Sequence, residues 1–170
     1  MKGKKDLAEG VNGKAPEAYP HPIYNNVLPH IDVFLENGYT KEEQKMIDET
    51  RKILNAPDLK VTATCARVPV QDSHSVEIDV TLEKEATAED IKALFDQDDR
   101  VVLVDNPENN EYPMAINSTN KDEVFVGRIR RDDSLENTFH VWCTSDNLLK
   151  GAALNAVQVL EQVMRLKGAN

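Results

Sequence analysis

Two stretches of the chain combine a helix-start signal with apolar residues at helical spacing. In the first, Thr40 and Glu43 form a capping-box pattern, and apolar side chains recur on one face of the segment that follows. The polar turn "NAPD" ends this pattern, which predicts a helix over residues 41–54. In the second stretch, "TAEDIKALF", Thr87 is the predicted cap of a shorter helix.

A third predicted helix, "DNLLKGAALNAVQVLEQVMRL", begins at Asp146, a residue type that caps helices well. Its apolar stripe has small side chains first, such as Ala152, and larger ones later, such as Leu160 and Met164. Small residues allow another element to pack closely. Without such an element, we expect the stripe either to lie exposed or to fold back on the sheet.

Apolar runs rich in β-branched residues, some of them strictly alternating, predict a set of strands. The runs are "KVTATCARVPV", "SVEIDVTLEK", "RVVLV", "EVFVGRIRRD" and "TFHVWCTS". Residues 19–34 carry three prolines and little periodicity, which is typical of an extended connector. This order of elements predicts an α+β domain with a mixed, largely antiparallel sheet.

The charge balance narrows the classes of ligand. Lys+Arg 20 against Asp+Glu 30 gives a net charge of -10, which repels nucleic acids and anionic membrane surfaces. We therefore expect no nucleic-acid or membrane partner, and any anionic ligand must be bound by locally placed cations. The N-terminus lacks the apolar core of an export signal, and no apolar run is long enough to span a membrane.

Cysteine, glycine and histidine usage exclude several kinds of site. The two cysteines, Cys65 and Cys143, are too few for a disulfide framework and lie in apolar runs, which favours a cytoplasmic location. The seven glycines form neither a G-x-G-x-x-G motif nor a phosphate-binding loop. The four histidines lack the spacing of metal ligands, so we expect no metal site.

The stretch "RVPVQDSHS" places Arg67 seven positions before His74. An odd separation puts the two on opposite faces of a continuous strand, so a shared pocket requires a bend, which we predict at residues 71–73. Two interpretations remain open from residue types alone. The pair is either a surface arginine and a solvated histidine, or a carboxylate-binding guanidinium beside a proton shuttle that works near neutral pH.

Glu42 and Lys45 stand three residues apart on one face of the first predicted helix. They form either an ordinary intrahelical ion pair or the contacts for a substrate's ammonium and phosphate groups near a helix N-terminus. Cys65 is either a packed thiol or a nucleophile activated by His74. No electropositive helix end or Gly-rich turn accompanies the thiol, and this favours packing.

Several motifs together resemble, in order and spacing, the C-terminal half of bacterial aspartate-semialdehyde dehydrogenases. They are "PHIDVFLENGYTKEEQKM", "ETRKIL", "VTATCARVPV" followed by "HS", "KDEVFVGRIRRD" and "DNLLKGAALNAVQ", and the resemblance covers residues 19–164. It implies a glyceraldehyde-phosphate-dehydrogenase-like C-terminal domain, a mixed sheet with helices packed on one face. It also implies an oxidoreductase of lysine, methionine and threonine biosynthesis, which makes aspartate semialdehyde and phosphate from β-aspartyl phosphate and NADPH.

The resemblance implies roles for individual residues. His74 is similar to the family's general acid/base, and Arg67 to the arginine that binds the substrate carboxylate. Glu42 is similar to the partner of the substrate ammonium, Lys45 to the phosphate-binding lysine, and Asn155 to an asparagine near the nicotinamide of NADP. Because strands of this half form the family's dimer interface, a homodimer is expected as well.

We therefore expect a loose N-terminal segment (1–18), a catalytic and dimerisation domain (19–145), and a C-terminal helix (146–170) that in the family packs on the nucleotide-binding domain. That domain, with its Gly-rich loop and nucleophilic cysteine, has no counterpart in the 170 residues, so we expect the chain to be inactive by itself. The alternative is a non-catalytic, regulatory dimerisation module that pairs with full-length subunits. A third hypothesis is a thiol hydrolase that uses Cys65 and His74.

Overall fold

The computed structural model describes residues 2–10, 13 and 15–168, which form two compact units that divide between Gln71 and Asp72. In this part of the chain, no helix is both long and apolar enough to cross a membrane. The first unit contains the helices α1 (Lys2–Gly10) and α2 (Lys41–Ile53). The second unit contains a sheet and the remaining helices.

Helix α2 is the first helix that the sequence predicts, and its capping box is complete. The Thr40 hydroxyl accepts a hydrogen bond from the Glu43 N–H at 3.3 Å, and the Glu43 carboxylate accepts one from the Thr40 N–H at 2.7 Å. Both groups therefore satisfy backbone donors that the first turn of a helix leaves unpaired. The reciprocal bonds explain why the helix starts at the predicted residue.

Residues 1–18 have the composition of a loose segment, and the described part of this segment includes α1. The carboxylate of Asp6, a residue only 4% exposed, accepts hydrogen bonds from the N–H groups of Glu17 and Ala18 at 2.8 and 2.7 Å. These bonds fasten the helix to the chain that follows it. Composition does not reveal contacts between residues this far apart in sequence.

The first predicted strand, over residues 60–70, is wrong. Among the described residues, Arg67 alone in this segment pairs with another backbone segment, in an isolated bridge with Leu28. The proline that follows Leu28 has no N–H to extend the ladder. On the other side, the Cys65 N–H is already bonded to the Glu43 carboxylate at 2.8 Å. The segment is therefore extended without belonging to a sheet.

The second unit is built on a four-stranded sheet in the order β1-β4-β3-β2. Its strands are β1 (His74–Thr81), β2 (Val101–Leu103), β3 (Val124–Arg131) and β4 (Thr138–Ser145). Strand β4 is antiparallel to both β1 and β3, and β2 is parallel to β3. The mixed, largely antiparallel sheet and the α+β class are confirmed. The other predicted strands are present, with ends that differ by a few residues.

The helices of this unit are α3 (Ala88–Asp96), the single-turn α4 (Ala115–Ser118) and α5 (Leu154–Leu166), with a 3-10 turn at Pro107–Asn109 and a π-helical turn at Leu149–Ala153. The predicted Thr87 cap is confirmed, whereas the predicted Asp146 cap is not, because the π-helical turn has Leu148 as its N-cap residue and α5 begins only at Leu154. Thr87 accepts a hydrogen bond from the Asp90 N–H at 3.1 Å, and the Asp146 carboxylate accepts bonds from the N–H groups of Leu148 and Leu149. The apolar stripe of α5 is exposed in the chain.

Helix α3 packs over β2 and β3 and covers one face of the sheet. The buried core beneath it consists of Ile91, Val126, Ile129, Phe139 and Val141. Residues paired directly across antiparallel strands point to the same face, so Ile78 and Val80 of β1 lie on this face beside their partners Val141 and Phe139. The opposite face of β1 and β4 carries polar side chains, with Asp79 opposite His140 and Glu77 opposite Trp142.

Candidate active site

Glu42 and Lys45 lie on the first turns of α2, where three-residue spacing brings them together. The Lys45 Nζ is 3.3 Å from both carboxylate oxygens of Glu42. The side chains are 34% and 51% exposed, respectively, so solvent reaches both. A pair of this kind contributes little to stability, and another charged group can replace either partner at small cost.

The backbone of Arg67 is held by hydrogen bonds, whereas its side chain is exposed to solvent. The bridge with Leu28 uses both the N–H and the C=O of Arg67, at 2.8 and 3.0 Å. Its guanidinium carbon lies 5.9 Å from the centroid of the Tyr19 ring, within the range of a cation–π interaction. Among the described residues, no carboxylate forms an ion pair with Arg67, so the five N–H donors can bind an external anion.

Cys65 lies two residues before Arg67 and is 9% exposed. Burial raises the pKa of its thiol, and the charges of Glu43 and then Glu42 raise it further, against the opposing effect of Arg67 and Lys45. The thiol is therefore poorly ionised near neutral pH, which disfavours a nucleophile. The Cys65 Sγ also lies 3.4 Å from the Met46 Sδ of α2.

Glu43 is a residue of the site that the sequence analysis identifies only as a helix cap. Its carboxylate also accepts a hydrogen bond from the Cys65 N–H, and the residue is 7% exposed. Hydrogen bonds from the backbone of Thr40 and Cys65 hold the pKa of Glu43 below its usual range. Glu43 thereby fixes α2 against the segment that carries Arg67. No pattern in the sequence relates residues 43 and 65.

His74 opens β1 in the second unit, where it pairs with Ser145 at the end of β4. The residue before it, Ser73, has a φ of 75°, a left-handed conformation that turns the chain sharply. The bend predicted at residues 71–73 is therefore confirmed. The His74 imidazole is exposed, and within the described part of the chain it forms no hydrogen bond.

Asn155 belongs to the first turn of α5 and lines a shallow cavity of about 190 Å³. The cavity is also lined by Arg100, Lys150, Gln158, Val159, Gln162 and Val163. The Lys150 ammonium donates a hydrogen bond to the Gln158 amide oxygen at 2.6 Å. Amide and cationic groups thus share the cavity with apolar side chains. The structure groups Glu42, Lys45 and Arg67 in the first unit, whereas His74 and Asn155 belong to the second.

A cluster that the sequence analysis does not identify lies on the polar face of β1 and β4. The His140 Nδ1 is 3.0 Å from the Glu77 carboxylate and also contacts the Asp79 carboxylate, while Nε2 lies 3.6 Å from the Asp132 carboxylate. Glu77, Asp79 and His140 offer ligand atoms within 4.8 Å of one another. Strand pairing assembles the cluster from residues far apart in sequence, so motif spacing could not find it.

Comparison with known proteins identifies the family. Residues 3–150 match the family described as "Semialdehyde dehydrogenase, dimerisation domain". This chain belongs to that family. Among curated members, aspartate-semialdehyde dehydrogenase of Aquifex aeolicus is 48% identical over 161 residues, which are 95% of this chain and 47% of the relative. The Bacillus subtilis enzyme of the same name is 50% identical over 147 residues, 86% of this chain and 42% of the relative.

Solved structures of the semialdehyde dehydrogenase family share the fold. Aspartate semialdehyde dehydrogenase II of Vibrio cholerae, complexed with ASA, is 37% identical with a TM-score of 0.87, over 96% of this chain and 49% of that one. The Candida albicans enzyme with NADP is 25% identical with a TM-score of 0.66, over 88% of this chain and 47% of that one. The chain spans about half the length of the curated relatives it matches.

Proposed function

We propose that this chain is the substrate-binding and dimerisation half of an aspartate-semialdehyde dehydrogenase. Together with a nucleotide-binding half, it converts β-aspartyl phosphate and NADPH to aspartate semialdehyde, phosphate and NADP. The observation that carries the proposal is the match of nearly the whole chain to half of relatives that bear this name. The arrangement of Glu42, Lys45 and Arg67 supports it on chemical grounds.

Arg67 binds the substrate carboxylate. Its guanidinium is a planar fork that matches a carboxylate with two parallel hydrogen bonds. Its backbone bridge to Leu28 and its position over the Tyr19 ring restrict the side chain before substrate arrives. A restricted fork loses less conformational entropy on binding than a free one.

Glu42 and Lys45 bind the other two charged groups of β-aspartyl phosphate. The Glu42 carboxylate matches the ammonium of the substrate, and the Lys45 ammonium matches the phosphate as a point cation. Their mutual ion pair is exposed to solvent, so substrate groups can replace it at little cost. In a chain with a net charge of -10, such local cations are what an anionic substrate requires.

His74 is the general acid/base. An imidazole can take up and return a proton near neutral pH, and the exposed ring at the start of β1 is accessible to a reacting group. No described residue competes for its ring nitrogens by hydrogen bonding.

Asn155 contributes to the NADP site, whose bound cofactor exchanges a hydride with the substrate carbon. The cavity around Asn155 is lined by amide groups and by Val159 and Val163, and this mixture of polar and apolar side chains suits a nicotinamide ring. The described residues include no Gly-rich turn at a helix N-terminus that could hold the pyrophosphate. This chain therefore fits only the nicotinamide end of the cofactor.

The chain forms a homodimer, and α5 packs on the nucleotide-binding half. The family description as a dimerisation domain supports the first statement. The exposure of Val157 and Leu160 on α5, at 52% and 59%, supports the second, because an apolar helix face of this kind gains stability when it is covered.

The free thiols of Cys65 and Cys143 fit a reducing cytoplasm.

The proposal is tested with a fusion protein in which the amino-terminal half of the Aquifex aeolicus relative precedes this chain. NADPH formation is followed with aspartate semialdehyde, phosphate and NADP. We expect turnover by the fusion and none by the chain alone. The His74→Asn fusion, which should fold normally, is expected to lose at least about 100-fold in kcat, since general acid–base catalysis contributes about 10²–10⁴-fold. Full activity of that variant would contradict the role of His74.

A non-catalytic dimerisation module is the second candidate, and the family description favours it as well. Its test is native mass spectrometry of the chain mixed with the full-length Aquifex aeolicus relative at micromolar concentration. Mixed dimers together with an inactive fusion would support the module. If the chain forms only homodimers and the fusion protein is active, the result would support the proposal that the chain is half of a dehydrogenase.

A further inference from the structure

We propose that Asn147, assisted by Thr119, is a positioning residue that sets the orientation of His74 through the backbone of Ser73. The inference rests on the proposed acid/base role of His74 and adds the groups that hold this residue in place. It is carried by hydrogen bonds within the second unit.

Ser73 adopts a backbone conformation that serine does not favour. Its φ of 75° lies in the left-handed region, where the side chain of an L-residue crowds the following carbonyl. Such a conformation persists only where neighbouring groups hold it, and it recurs where a side chain must be aimed. Because Ser73 immediately precedes His74, its φ and ψ decide the direction in which the histidine leaves the turn.

Two side chains from other parts of the chain hold Ser73. The Asn147 amide oxygen accepts a hydrogen bond from the Ser73 N–H at 3.0 Å. The Ser73 and Thr119 hydroxyls are 3.0 Å apart, and the Thr119 hydroxyl also donates to the Ala115 carbonyl at 3.0 Å. A hydroxyl has one proton, so Thr119 accepts from Ser73. Asn147 and Thr119 therefore fix both the backbone and the side chain of Ser73.

The two holding segments are themselves connected. Asp146, which is 3% exposed, accepts hydrogen bonds from the N–H groups of Asn120 at 2.8 Å and of Leu148 at 2.7 Å. It thus binds the end of α4, where Thr119 lies, to the start of the C-terminal helical segment, where Asn147 lies. Three chain segments meet at Ser73, and one buried carboxylate fixes two of them.

Among the described residues, no side chain orients the His74 imidazole directly. Within the described residues its imidazole receives no hydrogen bond, unlike a general base that a third side chain orients. Its placement therefore depends on its backbone, which is fixed by the β1–β4 pairing on one side and by Ser73 on the other. Asn147 acts on the histidine through this second connection.

The first test is amide hydrogen exchange of Ser73 in the chain itself, measured by NMR. In Asn147→Ala we expect exchange to be at least about tenfold faster, because the N–H loses its acceptor. Asn147→Asp keeps an acceptor oxygen and should retain the protection. Asn117→Ala is the matched control, because Asn117 is exposed and its side chain has no hydrogen bond in the described structure. Unchanged Ser73 exchange in Asn147→Ala would overturn the inference.

The second test uses the fusion protein. We expect Asn147→Ala to lower kcat by about 10- to 100-fold with little change in KM, since a misplaced catalytic group costs about this much. Asn147→Asp should restore most of kcat, and all variants should keep a Tm close to that of the parent. Thr119→Val, which removes the hydroxyl at nearly constant volume, should lower kcat in the same direction and serves if Asn147→Ala fails to fold.

The outcomes separate this inference from the proposed function. Suppose that Asn147→Ala and Thr119→Val both keep the parental kcat while the His74→Asn fusion is inactive. This result would contradict the positioning role of Asn147 and leave the acid/base role of His74 intact. Parental activity of His74→Asn would contradict the acid/base role, and the positioning inference would fall with it whatever the exchange of Ser73 shows.

Discussion

The Glu43 carboxylate accepts a hydrogen bond from the backbone N–H of Cys65 at 2.8 Å, and this bond connects the start of α2 to the segment that carries Arg67. The same carboxylate caps the helix through Thr40. One buried side chain therefore maintains the spacing between two groups of proposed substrate ligands. Its loss should affect both the stability of the first unit and the geometry of the site.

The stability contributed by Glu43 should depend on pH. Backbone hydrogen bonds hold the pKa of Glu43 below its usual range in the folded chain, so the carboxylate stabilises the fold at pH above its ordinary pKa of about 4.3. This contribution is lost as pH falls through the folded-state pKa. We expect Glu43→Gln to have a lower Tm than the parent at neutral pH and to lose less of its Tm on acidification. Equal Tm values across the acidic range would contradict the prediction.

Cys65 should react slowly in the folded chain. Burial and the neighbouring carboxylates raise the pKa of its thiol, so little thiolate is present near neutral pH. We expect alkylation of Cys65 by iodoacetamide, followed by peptide mapping, to be clearly slower in the folded chain than in urea. Rapid modification of folded Cys65 would revive the thiol hydrolase hypothesis.

Gly127 lies where the sheet leaves no room for a side chain. A Cβ atom at this position would lie 2.0 Å from the backbone oxygen of Val104, the residue that follows the neighbouring strand β2. We expect Gly127→Ala to destabilise the chain by at least about 3 kcal/mol, because rigid backbone must move to accommodate it. In thermal unfolding, this corresponds to a fall in Tm of about 6–12 °C.

Gly151→Ala is the matched control for Gly127→Ala. Its Cβ would lie 3.5 Å from the Asp146 carbonyl oxygen, an ordinary contact, and Gly151 has a helical rather than a positive φ. We expect a change within about 1 kcal/mol, in the stabilising direction if the helical propensity of alanine decides it. A Gly127→Ala variant as stable as Gly151→Ala would contradict the close approach of the two backbone segments.

Local patterns predict where the helices α2 and α3 begin. In both capping boxes, Thr40 with Glu43 and Thr87 with Asp90, the interacting groups lie three residues apart, so a short window of sequence contains the whole interaction. Strand β1 is predicted for a similar reason, because Val76, Ile78 and Val80 alternate with polar residues within a short stretch of sequence. Residues 60–70 show the limit of this reasoning. Their composition favours a strand, but a strand needs a partner ladder that the neighbouring segments do not supply.

In the candidate site, too, some contacts can be predicted from the local sequence and others cannot. Helical spacing predicts the contact between Glu42 and Lys45, and the bend before His74 follows from a parity argument. The contact between Ser73 and Asn147 joins residues 74 positions apart and depends on where β1 and β4 end in the sheet. Only the three-dimensional arrangement reveals such a contact, whereas the role proposed for His74 comes from the resemblance to a known family.

The most direct test of the account is kcat/KM of the fusion protein for aspartate semialdehyde after substitution of Arg67. We predict that Arg67→Ala lowers kcat/KM by at least about 100-fold, because two charge-assisted hydrogen bonds to the carboxylate are lost, and that Arg67→Lys recovers only part of it. Lys52→Ala, an exposed cation at the far end of α2, is the control and should match the parent. A kcat/KM of Arg67→Ala close to that of Lys52→Ala would contradict the assignment of this chain as the substrate-binding half.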